Sequence, residues 1–206
     1  MHKRQIIALY LIFFFMLPAL TLAGNAPVLE NSDSELVSQV MLQDDAAGTR
    51  MTLKIPVVTS EQVVGDHQEY DRFSLNGEAY TARDGWPELP IVSRTILVPP
   101  TARVQLIVNS VESRIEDSYE PFIVPEQTDV SDYDSPGIAA DEYLQHQGFW
   151  PTEAISIAEP AILRGHRLVT VTMSPLQYNL QTGETKVNSN FDFELVYDDG
   201  EARNPV

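Results

Sequence analysis

The sequence predicts an all-β protein, a single sandwich or jelly-roll-like domain that follows a cleaved signal peptide. Three observations predict this class. Apolar and polar residues alternate with a period of two, the pattern of half-buried strands, in several short segments. Fourteen prolines and ten glycines punctuate the chain, and no segment keeps a helical period. Many short strands with proline and glycine turns are typical of sandwiches and jelly rolls.

The N-terminus has the composition of a secretory signal peptide. Lys3 and Arg4 supply positive charge, Ile6–Leu17 is an apolar run of 12 residues, and small residues follow up to Ala23. A transmembrane anchor is the alternative, but a spanning helix needs about 20 apolar residues. We therefore expect secretion with cleavage after Ala23, and Ala26 is the second choice.

Cleavage after Ala23 leaves one domain with short flanking segments. Residues 1–23 are the predicted signal peptide, 24–48 a flexible segment with the first strand, 49–200 the β domain, and 201–206 the start of a linker. A domain of this size buries its own core without disulfides, and the sequence has no cysteine. Thiol chemistry and cysteine-ligated zinc are therefore excluded.

The acidic excess limits the possible partners. The chain has a formal net charge of −17, and loss of Lys3 and Arg4 with the signal peptide leaves 11 basic against 30 acidic residues, or −19. Such a chain repels phosphate backbones and anionic lipid heads. We expect neither nucleic acid nor, after signal cleavage, a membrane as partner, whereas a basic protein or divalent cations are compatible.

Seven segments show the strand pattern, and two of them carry apolar triplets expected to face inward, Val104/Leu106/Val108 and Phe191/Phe193/Leu195. The segments are Leu36–Leu42, Thr49–Val57, Tyr70–Leu75, Ile91–Val98, Arg103–Val111, Leu163–Met173 and a closing strand that ends at Tyr197. Asn76-Gly77 is a hairpin turn signal. Pro99-Pro100 donates no ladder hydrogen bond and must lie at a strand end or edge.

An acidic stretch interrupts the strand pattern. Residues 115–163 contain eleven acidic residues and no lysine or arginine. The part from Pro125 to Pro151 is predicted to be a long excursion with one helical turn near Ala139–Gln145. The spaced aspartates of Asp129–Asp134 suggest a calcium site, but an EF-hand would place Pro136 and Tyr143 at ligand positions. A solvated acidic loop is therefore favoured, and a weak calcium site is the alternative.

No residue of the chain is assigned a catalytic or metal-binding role. His67, His146 and His166 stand far apart and lack metal-ligand spacing. No serine lies in a nucleophile elbow. Pairs of carboxylates arise by chance among thirty acids. Trp86 and Trp150 are expected to pack in the core or against turns.

Two groups of motifs resemble a known family. They are Gly85, Pro87 and Leu89-Pro90, then Val98-Pro99-Pro100, Trp150-Pro151, Arg164–Arg167 and Pro175–Asn179. In this order, after a signal peptide, they resemble the N-terminal propeptide domain of gingipain-type cysteine peptidases, over about residues 50–200.

The resemblance implies a β-rich pro-domain that assists folding of a peptidase domain and keeps it latent. It also implies export by a Gram-negative bacterium, through the periplasm to the cell surface or medium. The partner would be a cognate peptidase domain with a catalytic histidine and cysteine. Because this chain has no cysteine, it is expected to be part of a truncated or split precursor, or a free-standing homologue. A non-catalytic extracellular β-sandwich that serves as a binding or structural module is the alternative.

In this family a basic side chain of the pro-domain can occupy the specificity pocket of the enzyme. Five arginines are the candidates for such a contact here: Arg94, Arg103, Arg114, Arg164 and Arg167. Of these, Arg94, Arg164 and Arg167 are expected at a strand edge or at the rim of the domain. If the contact instead comes from the acidic excursion, the enzyme is expected to prefer something other than basic residues. The sequence leaves both possibilities open.

Overall fold

The computed structural model describes residues 36–65, 68–117, 119–126 and 135–205. The predicted signal peptide with Ala23, the segment up to residue 35, His67 and the calcium alternative at Asp129–Asp134 lie outside the described residues. The described residues belong to one compact unit, Ser34–Val206. No helix among them is long and apolar enough to cross a bilayer.

Within the described ranges, the structure consists of twelve strands and one four-residue helix. The strands are β1 Ser38–Asp44, β2 Gly48–Lys54, β3 Thr59–Gly65, β4 Gln68–Ser74, β5 Ala79–Tyr80, β6 Pro90–Leu97, β7 Arg103–Asp117, β8 Ile155–Ile157, β9 Ala161–Leu163, β10 His166–Met173, β11 Leu176–Asn179 and β12 Glu184–Asp198. The helix, α1, is Asp141–Leu144 and agrees with the helical turn predicted there.

Two antiparallel sheets and a separate hairpin make up the fold. In the first sheet the order is β1-β2-β12-β11, and β7 pairs along the other side of β12. In the second sheet the order is β5-β6-β10-β8, and β9 also pairs with β10. Strands β3 and β4 pair with each other. The all-β prediction is confirmed.

The inner faces of the two sheets share one core. Met51, Leu53 and Phe193 from the first sheet belong to the same buried cluster as Val92 and Val169 from the second. Two sheets that bury their facing side chains against each other form a sandwich. The predicted inward triplet on β12 is confirmed, since its side chains are at most 1% exposed.

The triplet on β7 was only partly right. Val104 and Leu106 pack against the core, but Val108 is 47% exposed. The register skips Asn109, because Val108 pairs with Phe193 and Ser110 pairs with Asp192. A bulge of this kind interrupts the alternation of faces, and Val111 takes the next place against the core.

The predicted single strand Leu163–Met173 was wrong, because it is a hairpin. Strands β9 and β10 are joined by Arg164 and Gly165, whose φ angles are 51° and 78°. Leu163 lies opposite His166, so the loop has two residues. Two consecutive positive φ angles are the signature of the type I′ turn that matches strand twist.

The Asn76-Gly77 turn forms, but the hairpin predicted there was wrong. Gly77 has a φ of 76°, and the amide of Glu78 donates to the carbonyl of Leu75 at 3.1 Å. The turn leads from β4 to β5, which pair with different partners. Pro99-Pro100 behaves as predicted, because it follows the end of β6 and carries the chain from the second sheet to the first.

Candidate functional site

Just before the acidic excursion begins at Pro125, residues 122–124 run in extended form beside residues 85–88. The amide of Glu88 donates to the carbonyl of Phe122 at 2.8 Å, and the amide of Val124 donates to the carbonyl of Trp86 at 2.9 Å. The amide of Phe122 donates to the carbonyl of Asp71 at 2.9 Å. These bonds satisfy the main chain as a strand would, so the start of the excursion is firmly held.

The returning part of the excursion is held at the same place. The amide of Gly137 donates to the carbonyl of Ile123 at 2.8 Å, and the amide of Ala140 donates to the carbonyl of Gly85 at 2.9 Å. Gly85 has a φ of 72°, and a Cβ atom there would lie 2.7 Å from the Cβ of Ala140. The first motif therefore needs glycine at this position, because the returning chain crosses directly over it.

Aromatic rings fill the space beneath the returning chain. The ring centroid of Trp86 lies 4.2 Å from Trp150, 5.1 Å from Tyr143 and 5.4 Å from His146. Trp86 is 4% exposed, as the core-packing prediction required. Burial is the main cause that raises the pKa of Tyr143, so its phenol stays neutral. The place of His146 in this cluster was not predicted.

Buried carboxylates secure the same region, which we call the excursion end of the sandwich. Asp71 and Glu88 are 6% and 3% exposed. Asp71 accepts a hydrogen bond from the amide of Glu120 at 2.8 Å, and Glu88 accepts one from Nε of Arg72 at 3.0 Å. Burial, and then the charge of Asp71, raise the pKa of Glu120.

The contacts that the structure describes at the excursion end are structural ones. Its carboxylates accept from backbone amides and from arginine, which are structural partners. Within the described ranges, no three histidine, aspartate or glutamate side chains are grouped to hold a metal ion. What the arrangement does is to present the excursion from a rigid base.

Three of the five candidate arginines are engaged in ion pairs. Arg94 contacts Glu78 at 2.7 Å and also donates to Gln39 of β1 at 2.8 Å. Arg103 contacts Asp198 at 2.8 Å, and Arg114 contacts Glu116 at 2.6 Å. Their roles toward a partner stay predictions, but each would have to exchange a contact within the domain for one with the partner.

Arg167 is not at an edge or rim, where the sequence placed it. Its side chain is 2% exposed. Nη1 donates to the carbonyls of Pro99 and Ala102, both at 2.8 Å, and Nη2 donates to the carbonyl of Arg203 at 2.8 Å. The guanidinium thus joins the connection between the sheets to the C-terminal segment, in a region that we call the Arg167 end.

Arg164 is the best presented of the five. It stands in the two-residue turn between β9 and β10, and its side chain is exposed. Among the residues that the structure describes, its guanidinium makes no ion pair. A contact with a partner would therefore break no ion pair among the residues that the structure describes.

The comparisons with known proteins decide the family. The family model Propeptide_C25 matches residues 33–201. The chain belongs to this propeptide family. The resemblance inferred from the motifs is confirmed, and so is the prediction that the chain is a propeptide domain and not itself the peptidase.

Curated relatives of the Propeptide_C25 chain come from Porphyromonas gingivalis. Lys-gingipain HG66 is 28% identical over 132 residues, which are 60% of this chain and 8% of the relative. Gingipain R2 is 31% identical over 106 residues, which are 50% of this chain and 14% of the relative. The chain thus spans a small part of the length of these relatives, which are secreted or surface-associated proteins.

Two solved structures from the same organism share the fold of the Propeptide_C25 chain. A complex of the pro- and mature domains of RgpB has a TM-score of 0.72, covers 82% of this chain and 87% of the solved chain, and is 19% identical. A structure that concerns the zymogenic latency of gingipain K has a TM-score of 0.65 and is also 19% identical. The match covers 81% of this chain and 95% of the solved chain.

Proposed function

We propose that this chain is the pro-domain of a gingipain-like cysteine peptidase, which it helps to fold and holds latent. The observation that carries the proposal is the family match over residues 33–201, which coincides with the compact unit Ser34–Val206. The match covers a whole folded domain and not an isolated motif. We propose that inhibition is non-covalent, by occlusion of the cleft; the chain has no cysteine, so it forms no disulfide with the catalytic cysteine.

The contact with the enzyme has two candidate sources. Arg164 would suit a specificity pocket that contains a carboxylate, because it is exposed and projects from a tight turn. A segment of the acidic excursion would suit an enzyme that prefers other residues. The acidic charge of the chain favours a basic or less acidic enzyme face and speeds association.

The experiment mixes the domain without its signal peptide with a cognate gingipain-type peptidase domain, which is to be identified by its catalytic histidine and cysteine in the same or a neighbouring reading frame. Hydrolysis of a small substrate is followed over a salt series. We expect reversible inhibition whose association slows as salt rises, because exposed charges are screened beyond about 8 to 10 Å at 0.1 to 0.15 M salt. Refolding of the peptidase with and without the domain tests the folding role.

Arg164→Ala and Arg114→Ala form a matched pair of variants in this assay. Weaker inhibition by Arg164→Ala alone assigns the contact to the β9–β10 turn. Unchanged inhibition by both variants excludes Arg164 and Arg114 and leaves the excursion, Arg94 or Arg103 as the source of the contact. If the unaltered domain at micromolar concentration neither inhibits nor assists refolding, the proposal fails and the extracellular binding module replaces it.

Secretion through the periplasm of a Gram-negative bacterium is the proposed route. Lys3, Arg4 and the apolar run Ile6–Leu17 support it. N-terminal sequencing of the exported protein is expected to start at Gly24. Exported material that starts at Met1 would contradict cleavage, and material that starts at Pro27 would move the cleavage site to Ala26.

A further inference from the structure

The lysines and arginines of the domain are absent from its long excursion. Without Lys3 and Arg4 of the predicted signal peptide the chain has 11 of them, and residues 115–163 contain none. All 11 lie within the described ranges. Eight are in strands, where the main chain is paired: Arg50, Lys54, Arg72, Arg94, Arg103, Arg114, Arg167 and Lys186. Because proteolysis needs exposed, unpaired backbone, a peptidase that cleaves after basic residues finds few sites here.

The three remaining arginines differ in how their main chain is held. Arg83 begins a turn, since its carbonyl accepts from the amide of Trp86 at 3.0 Å. Arg164 stands in the two-residue turn between β9 and β10. Arg203 lies beyond the end of β12, in a segment without strand or helix. Among the described residues, the bond from Arg203 to Asn204 is thus the one bond after a basic residue that lies outside strands and hydrogen-bonded turns.

The side chain of Arg203 is accessible, but its carbonyl is not free. The side chain is 76% exposed and contacts Glu159 at 2.7 Å. The carbonyl accepts from Nε and Nη2 of Arg167 at 3.2 and 2.8 Å, and Arg167 is 2% exposed. A serine or cysteine peptidase has to place this same oxygen in its oxyanion hole, against donors of its own. Hydrolysis therefore requires that the oxygen first leave Arg167.

The residue on the other side of the bond is also fixed. Asn204 has a φ of 48°, a left-handed conformation that an extended peptide does not adopt. Its Nδ2 donates to the carbonyl of Pro160 at 2.8 Å. Both residues that flank the bond thus have to move before a peptidase can bind them.

Arg167 is anchored independently of the segment that it holds. Its Nη1 donates to the carbonyls of Pro99 and Ala102, both at 2.8 Å, in the connection between the two sheets. Departure of the C-terminal segment would leave Nε and Nη2 of a buried guanidinium without their acceptor. An unpaired buried donor is costly, most of all on a charged group, so the closed arrangement is strongly favoured.

We propose that Arg167 protects the bond between Arg203 and Asn204, which is a processing site for a peptidase that cleaves after arginine. Cleavage occurs only when Arg167 has released the Arg203 carbonyl. It is ordinary amide hydrolysis: water supplies the hydroxyl that leaves a carboxylate on Arg203 and the proton that leaves an amine on Asn204. The inference goes beyond the proposed function and applies to the domain alone.

Limited digestion with trypsin, which cleaves after lysine and arginine, tests the protection in the domain without its signal peptide. Mass spectrometry follows loss of the residues after Arg203 and, in the same sample, cleavage after Lys186 in β12, which reports global unfolding. Relative to the cut after Lys186, we expect Arg167→Met to be cut after Arg203 about tenfold or more faster than the unaltered protein, because cleavage follows the population of the open form.

Two variants serve as matched controls. Phe122→Ala, which loses buried packing elsewhere in the domain, should not raise the cut after Arg203 relative to the cut after Lys186. Glu159→Gln releases the Arg203 side chain and leaves its carbonyl on Arg167, so cleavage after Arg203 should change by less than about twofold. If circular dichroism shows that Arg167→Met does not fold, Arg167→Lys replaces it, because an ammonium does not reproduce the planar guanidinium fork.

The outcomes separate this inference from the proposed function. Equal relative cleavage after Arg203 in the unaltered protein and in the Arg167 variant overturns the protection. The same holds if Glu159→Gln or Phe122→Ala speeds that relative cleavage as much as the Arg167 variant does. None of these results touches latency, which is measured with a cognate peptidase, so the proposed function stands or fails separately.

Discussion

The two ends of the sandwich are closed by buried charges of opposite sign. At the Arg167 end, one guanidinium donates to three backbone carbonyls. At the excursion end, Asp71 and Glu88 are buried carboxylates, and Asp71 accepts from a backbone amide. Each end therefore uses the charge that suits the main-chain groups left free there: a cation for carbonyls, an anion for amides.

The two ends also differ in how their stability is distributed. At the Arg167 end one buried side chain holds the C-terminal segment, and two contacts nearer the surface add to it: Asn204 Nδ2 donates to the carbonyl of Pro160 at 2.8 Å and Arg203 pairs with Glu159 at 2.7 Å. The excursion end combines backbone bonds, aromatic rings and two buried carboxylates. The C-terminal segment therefore has one buried contact group, whereas the described base of the excursion has several.

The largest expected effect tests the buried hydrogen bonds of Arg167. Arg167→Met would leave the carbonyls of Pro99, Ala102 and Arg203 without their donor in a buried site, so we expect the free energy of unfolding to fall by about 4 kcal/mol. Guanidinium denaturation measures it. Arg114→Met, whose side chain is 60% exposed, is the control and should change stability by less than about 0.5 kcal/mol. Equal losses of stability in the two variants would show that the hydrogen bonds of Arg167 do not hold the Arg167 end.

The next largest effect tests the packing at the excursion end. Phe122 is fully buried at the excursion end, and Phe122→Ala should lower the free energy of unfolding by about 3 kcal/mol. Ile138→Ala, at a side chain that is 89% exposed, serves as control. If Phe122→Ala has no more effect than Ile138→Ala, the excursion is not part of the cooperative unit.

The smallest effect concerns pH at the excursion end. Burial raises the pKa of Glu120 above its ordinary 4.5, so folding favours the protonated acid. Well below that ordinary value both states are protonated, and stability falls as pH rises through the folded-state pKa. Glu120→Gln removes this loss.

Denaturation at about pH 4 and about pH 7, on either side of the expected transition, checks the sign. The difference in free energy of unfolding between Glu120→Gln and the unaltered protein should be more favourable to the variant at the higher pH than at the lower pH. Glu153→Gln, an exposed position, should not change the pH dependence. A relative gain at the lower pH instead would contradict the raised pKa of the partly buried Glu120.

Strands that bury one face were the predictable part of the fold. In β10 and β12 apolar residues alternate over long runs, because every second side chain enters the core. Strand β3, Thr59–Gly65, was missed because it is mostly polar and none of its residues is fully buried, so burial imposes no alternation. The bulge at Asn109 was missed because nothing in the local sequence specifies it.

The candidate site was less predictable because its contacts are remote in sequence. Arg167 reaches carbonyls 36 to 68 residues away, and backbone acceptors leave no side-chain pattern to find. The Arg164-Gly165 turn did have a signal, an isolated glycine inside an apparent strand. Part of the predicted excursion Pro125–Pro151 is held by backbone bonds at Gly137 and Ala140, contacts that are remote in sequence and leave no local signal.

The aromatic cluster gives this protein a built-in optical reporter. Trp86 and Trp150 are the only tryptophans of the chain, and their ring centroids lie 4.2 Å apart at the excursion end. The Arg167 end contains none. Tryptophan emission and the exciton signal of the paired rings therefore record the excursion end alone, so a spectral change without loss of far-ultraviolet signal would mark release of the excursion from an intact sandwich.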